Sequence, residues 1–177
     1  PDDFYFDRSW SLHNTGQLEG HEDADIDLPE AWFYGVGDPR IRVAVIDTGI
    51  DFHHPDLREN LWIHEGEIPT NGIDDDGNGL IDDVYGYDFV SEDGDPFDDQ
   101  GHGTHVSGII GAVANNRRGS VGVCQHVSLM AIKTFGTTGK ADVATVMKGV
   151  QYAIDHEARV INASWGVDVR SEVMRVA

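Results

Sequence analysis

Three residues far apart in the chain could do chemistry together: the carboxylate of Asp47, the imidazole of His102 and the carboxamide of Asn162. Asp47 closes the run Arg42-Val43-Ala44-Val45-Ile46-Asp47-Thr48-Gly49. His102 lies in Gly101-His102-Gly103-Thr104-His105-Val106-Ser107-Gly108, and Asn162 in Val160-Ile161-Asn162-Ala163-Ser164-Trp165-Gly166. Each alone has an ordinary explanation, as a turn residue, a loop histidine or a strand-end amide. As a set they are the parts of an acyl-transfer site. An imidazole oriented by a carboxylate is the general base of a serine hydrolase, and a fixed amide N–H can stabilise an oxyanion.

Such parts work only if the backbone holds them, and the sequence around each predicts how. The β-branched run from Ile41 to Asp47 and the run ending at Asn162 suit strands buried on both faces of a parallel sheet. In such sheets functional side chains lie just past the carboxyl ends of the strands. The small residues around His102, followed by Val106, Ile109, Ile110 and Val113, read as the start of a helix. Val127 to Thr134 is a further strand, and Asp142 caps a helix carrying Val143, Val146, Met147, Val150 and Ile154 on one face to about Glu157. Alternating strands and helices predict an α/β fold with a doubly wound, mostly parallel sheet and helices on both faces. Residues 1–39 read as an N-terminal arm packing on a 40–177 domain. In the arm, Trp10, Leu12, Leu28, Ala31 and Trp32 serve as pins, and Asp27 is an N-cap ahead of Pro29.

Composition narrows the partners. The net charge is −20, from 32 acids against 12 bases, which argues against nucleic acid or an anionic membrane. No run approaches the length of a membrane span, and the single cysteine, Cys124, permits no internal disulfide. Part of the charge is clustered in an insertion-like loop over 71–88, where Asp74, Asp76 and Asn78 alternate ahead of Gly79. That matches the opening of an EF-hand-type loop and predicts bound calcium. Tyr85 stands where such a loop would carry its closing glutamate, so Asp82 and Asp83 are expected to complete the shell. Asp93, Asp95, Asp98 and Asp99 form a second acidic cluster, read as a solvated loop or a further metal site. The adjacent His53 and His54 would suit zinc, but no cysteine or third histidine stands at a suitable spacing.

From about Ile41 to Gly166 the sequence resembles the subtilisin-like serine proteases, most specifically around Asp47 and His102. The resemblance implies a secreted, monomeric, calcium-stabilised endopeptidase acting on proteins and peptides, with an inhibitory, chaperone-like pro-region upstream. It implies that Asp47, His102 and Asn162 are catalytic. It also implies that Gly139, Lys140 and Ala141 belong to an edge strand that pairs with the substrate, and that Ser164, Trp165 and Gly166 form the strand facing it. His54-Pro55-Asp56-Leu57 resembles the segment whose aspartate helps bind a structural calcium, so Asp56 is an expected ligand, as is Asp3 in the arm. Pro1 reads as the start of a mature or trimmed chain. The family's Gly-Thr-Ser-Met-Ala-like nucleophile segment is not among the 177 residues, so the chain alone is expected to be inactive. Two other readings stay open. One is a non-catalytic calcium-binding or interaction domain on a protease-like fold. The other is a metallohydrolase using His102 and His105.

Overall fold

The strand β1 (Gly37–Asp47) organises the molecule, and its side chains explain why. Val43 and Val45 point into one apolar cluster and Ala44 and Ile46 into another, and the last five residues of the strand are all buried. Period-two alternation with both faces apolar requires cover on both sides. The computed structural model describes residues 1–166 and supplies that cover. The last eleven residues of the predicted 40–177 domain lie outside the described ones.

Among the described residues the sheet is four-stranded and parallel, in the order β2 (Gly86–Asp88), β3 (His126–Lys133), β1, β4 (Val160–Asn162). The β1–β3 register runs from Arg42 opposite Ser128 to Asp47 opposite Lys133, and Val45 lies opposite Asn162 on β4. The chain therefore delivers Asp47 and Asn162 to the carboxyl ends of neighbouring strands. Helix α2 (His102–Gly111) covers the face that carries Val43, Val45, Val127, Leu129 and Ala131. Helix α3 (Val143–Asp155) covers the other face, placing Tyr152 and Ala153 against Ala44, Ile46, Met130 and Ile132. The doubly wound arrangement expected from the sequence is the one found.

Several local expectations change. Asp142 caps α3 as predicted, its side chain accepting from Thr145 N. Ile154 does not join the packed face and is 58% exposed, whereas Gly149, Tyr152 and Ala153 are buried. Helix α1 (Leu28–Trp32) starts where expected, but Asp27 makes no side-chain cap. Its backbone is left-handed, with φ 53°, which swings the carboxylate away from the first turn. The arm is pinned by buried Leu28 and by Trp32 Nε1 donating to Val123 O at 2.9 Å, while Trp10 stays half exposed.

Candidate active site and the acidic insertion

The start of α2 fixes the histidine. A helix leaves its first N–H groups without intrahelical partners, and here each is met from outside the helix. His102 N donates to Gln100 Oε1 at 3.0 Å, Gly103 N to Thr48 Oγ1 at 2.9 Å and Thr104 N to Asp98 Oδ2 at 2.9 Å. Thr48 follows directly on the end of β1, so the helix is tied to the sheet within one residue of Asp47. Gly103 allows the approach, because a Cβ there would lie 2.2 Å from Gly49 O. Gly101, at φ 104°, makes the left-handed turn into the helix.

Asp98 is the residue whose role could not be read from the sequence. It is buried and accepts from Thr48 Oγ1, Gln100 N, Gly101 N, Thr104 N and Thr104 Oγ1. Burial pushes its carboxyl up, but the donors, with Gly101 N first, outweigh it and hold the group below the usual carboxylate range. Asp99 pairs with buried Lys133 at 2.9 Å, and Asp93 accepts from Asp95 N. The second acidic cluster is thus divided among separate structural bonds.

With the helix held in this way, His102 Nδ1 lies 2.7 Å from Asp47 Oδ1. Asp47 is 2% exposed, and the same Oδ1 also accepts from Thr48 N at 2.8 Å. Asp47 Oδ2 is buried without a partner among the described residues, so the imidazole is the main group that compensates this carboxylate. A carboxylate can only accept, so Nδ1 carries the hydrogen and Nε2 is the basic nitrogen. The His102 side chain is 48% exposed and opens into a cleft of about 290 Å³.

Gly139, Ser164, Trp165 and Gly166 line that cleft with Asp47 and His102. Trp165 is anchored by its indole N–H donating to Ile46 O at 2.8 Å. Lys140 and Ala141 do not line it and face a neighbouring depression with Phe89 and Val90. Within the segment over 135–141, residues 137–139 form a turn closed by Gly139 N donating to Gly136 O at 2.8 Å, and the segment pairs with no strand among the described residues. Ser164 to Gly166 likewise has no strand partner. A strand needs a neighbour to pair with, and the described chain offers none at these positions. Asn162 is half-buried beside the cleft wall; its Oδ1 accepts from Ser164 Oγ at 2.7 Å, and its amide hydrogens have no partner among the described residues. His105 lines a larger cavity of about 660 Å³ between the arm and α2, away from Asp47, so His102 and His105 do not converge.

In the insertion, Asp74 accepts from Gly77 N, Asn78 N and Gly79 N, and the Gly79 amide first among these donors holds its carboxyl below the usual range. Oxygens of Asp74, Asp76 and Glu67 lie within 4.8 Å of one another. Glu67 did not stand out in the sequence; its carboxylate also accepts from Asp75 N, Asp76 N and Asp82 N. Asn78 Oδ1 accepts from Leu80 N, and Asp82 caps the turn at Asn71 and Gly72. Asp83 turns away from the Glu67, Asp74 and Asp76 oxygens: it is fully buried, bonding His64, Tyr152 Oη and Asn78 Nδ2. Burial and then the Asp83 charge push the Tyr152 phenol far up, so it remains a donor. Asp3 and Asp56 meet on the loop over 115–120, Asp3 accepting from Asn115 N and Asn116 N, and Asp56 from Asn116 Nδ2 and Ser120 N.

A buried aspartate, a tethered histidine at a helix start and a cleft at the sheet edge define a serine-protease-like site on an α/β scaffold. The chain belongs to the subtilase family, whose family model matches residues 38–175. It is 44% identical over 137 residues to subtilisin-like protease 1 of Plasmodium vivax, a match covering 77% of this chain and 22% of that protein. It is 32% identical to thermitase of Thermoactinomyces vulgaris over 152 residues, covering 86% of this chain and 46% of thermitase. Among solved structures, the Aeromonas sobria serine protease in complex with its chaperone matches at TM-score 0.70 and 27% identity, covering 95% of this chain and 26% of that one. The chain thus spans less than half the length of these relatives. Among the described residues no helix is long and apolar enough to cross a membrane.

Proposed function

We propose that this chain forms part of a serine endopeptidase that hydrolyses peptide bonds in proteins. The observation that supports it is the 2.7 Å bond from His102 Nδ1 to buried Asp47, with the other face of the imidazole open to the cleft. In this reading His102 Nε2 takes the proton of a serine hydroxyl as the hydroxyl attacks the carbonyl, then gives it to the leaving amine. Asp47 orients the ring and stabilises the imidazolium that forms. Asn162, whose amide hydrogens are uncommitted, donates to the oxyanion. Gly139 and Ser164 to Gly166 hold the peptide as an added strand, which gives their unpaired backbone a partner. Lys140 and Ala141 contact the same peptide further along.

The serine itself comes from sequence outside these 177 residues. Among the described residues no serine hydroxyl bonds His102; Ser107 Oγ is sealed inside α2 and Ser164 Oγ is bonded to Asn162. A fluorophosphonate probe should therefore leave the 177-residue chain unlabelled. It should label the full-length protein on a serine outside it, and His102→Ala should abolish that labelling. Label on any serine within these residues would overturn the assignment.

Calcium fits the acidic loop as a stabiliser. Asp74, Asp76 and Glu67 offer hard oxygen donors with no Lys or Arg partner among the described residues, and Asp3 with Asp56 gives a second place. Secretion, an upstream pro-region and a monomeric state accompany this reading. The extracellular protease Nep of Natrialba magadii, 32% identical over 139 residues, supports the first.

A further inference from the structure

His64 and His156 are distant in sequence and meet in space. His64 lies just before the insertion, held by its N–H donating to Val84 O at 2.8 Å, and His156 is the C-cap of α3. Their side chains are only 14% and 12% exposed, and the rings pack edge to face with centroids 4.9 Å apart. Trp62 and Tyr152 wall the pair from the sheet side.

Each ring has one nitrogen already engaged. His64 Nδ1 lies 3.2 Å from Asp83 Oδ1, and His156 Nδ1 lies 2.9 Å from Tyr152 O. Both partners can only accept, so each Nδ1 carries a hydrogen and each Nε2 is the nitrogen that can take up a proton or a metal ion. Those nitrogens face anions: His64 Nε2 is 3.4 Å from Asp76 Oδ2, and His156 Nε2 is 3.8 Å from Asp83 Oδ2. No Lys or Arg pairs with Asp76 or Asp83 among the described residues. An imidazole nitrogen set against a carboxylate with no Lys or Arg beside it is completed by a cation between the two, and the convergence of two imidazoles and a carboxylate suits a metal ion better than a proton on each ring.

We propose that His64, Asp76 and His156 bind one zinc-class divalent transition-metal ion. A ligand atom from each lies within 4.8 Å of the other two. The 3.4 Å separation of His64 Nε2 and Asp76 Oδ2 matches the edge of a tetrahedron with bonds of about 2.1 Å. Imidazole nitrogens favour zinc, cobalt, nickel or copper over calcium and magnesium. Asp83 on His64 and the Tyr152 carbonyl on His156 fix the ring tautomers, as acceptors behind metal-bound histidines do. The ion would staple the insertion loop to the end of α3. It is distinct from the calcium reading, which uses Glu67 and Asp74, although Asp76 can serve both through its two oxygens. It does not depend on the peptidase reading.

The test uses the full-length protein, stripped with chelator, dialysed into excess calcium and titrated with Co²⁺. One equivalent should give the visible absorption of four-coordinate cobalt, displaced by Zn²⁺. His156→Gln should weaken cobalt binding by about a hundredfold or more, since even outer-shell losses cost up to that much. X-ray absorption of the zinc-loaded parent should show imidazole nitrogens around the metal, which needs no variant to fold. An oxygen-only shell, uptake blocked by calcium, no stoichiometric uptake, or binding that a folded His156→Gln leaves unchanged would each overturn the proposal.

Discussion

Two aspartate–histidine pairs are built from the same parts, and they differ in what surrounds the far side of the ring. Asp47 accepts from His102 at 2.7 Å, and that histidine side chain is 48% exposed beside a cleft. Asp83 meets His64 at 3.2 Å, but its ring is 14% exposed and closed in by Trp62, His156 and Asp76. A carboxylate behind an imidazole sets the tautomer in both cases. An open Nε2 can exchange a proton with an incoming substrate group, whereas an enclosed one has room only for a small ion. The pair alone does not define a base; access to its outer nitrogen does.

The sharpest way to break this contrast is to remove each ring in turn from the full-length protein. His102→Ala should lower kcat by roughly a millionfold, the scale for a serine protease that loses its base, with little change in melting temperature. His64→Ala should do the reverse, lowering the melting temperature while kcat/KM stays within a few-fold of the parent. If His64→Ala silenced the enzyme and His102→Ala only destabilised it, the two roles would have to be exchanged.

Asn162 tests the same cleft more finely. An amide that serves the oxyanion matters in the transition state and little in the ground state. Asn162→Ala should lower kcat by roughly a hundredfold or more, with KM little changed. A large fall in melting temperature with near-normal kcat would leave Asn162 as a strand-end tie through Ser164.

What could be read from the sequence follows the range of the forces involved. The β1 run is apolar on both faces, so its burial between two helices was legible from period and composition alone. Asp142 was legible as a cap because its partner, Thr145, is three residues away. Asp98 was not, because one of its partners, Thr48, comes from the end of another strand. His64 and His156 have ordinary local contexts, and only the packing of the insertion against α3 brings them together. Asp83 was misread with its neighbours: it sits beside a calcium-like motif, yet burial turns it towards Tyr152. The turn at Gly136 to Gly139 within the 135–141 segment was not legible, because the expected partner of that segment is a substrate backbone and not another part of the chain.

The insertion's other site offers a contrast in metal preference. If Asp74, Asp76 and Glu67 hold calcium, the ion binds the folded state alone and stabilises it by about 2.7 kcal/mol at a hundred times its dissociation constant. Asp74→Ala should then abolish most of the calcium-dependent rise in melting temperature while leaving cobalt uptake at His64 and His156 in place. Loss of both together would merge the two sites into one.

The smallest effect concerns Asp98, which holds the catalytic-type pair in register without touching it. Its Oδ1 accepts from Thr48 Oγ1, Gln100 N and Gly101 N, and its Oδ2 from both donors of Thr104. In Asp98→Asn one oxygen becomes an NH₂ group and faces at least one backbone N–H with no acceptor. That stranded, buried donor should cost roughly 1–3 kcal/mol of stability. The pH dependence follows from the direction of the shift. The folded carboxyl is held below its unfolded value, near 3.9 for aspartate, so its contribution is fully present above that value. It is lost as pH falls through the lower, folded value, where the carboxyl protonates in both states. The gap in unfolding free energy between parent and Asp98→Asn should therefore stay constant from neutrality to about pH 4 and narrow below it. Urea titrations of both proteins at neutral and acidic pH measure this gap. A gap that stays the same down through pH 3 would mean that geometry, not the charge on Asp98, holds the start of the histidine helix.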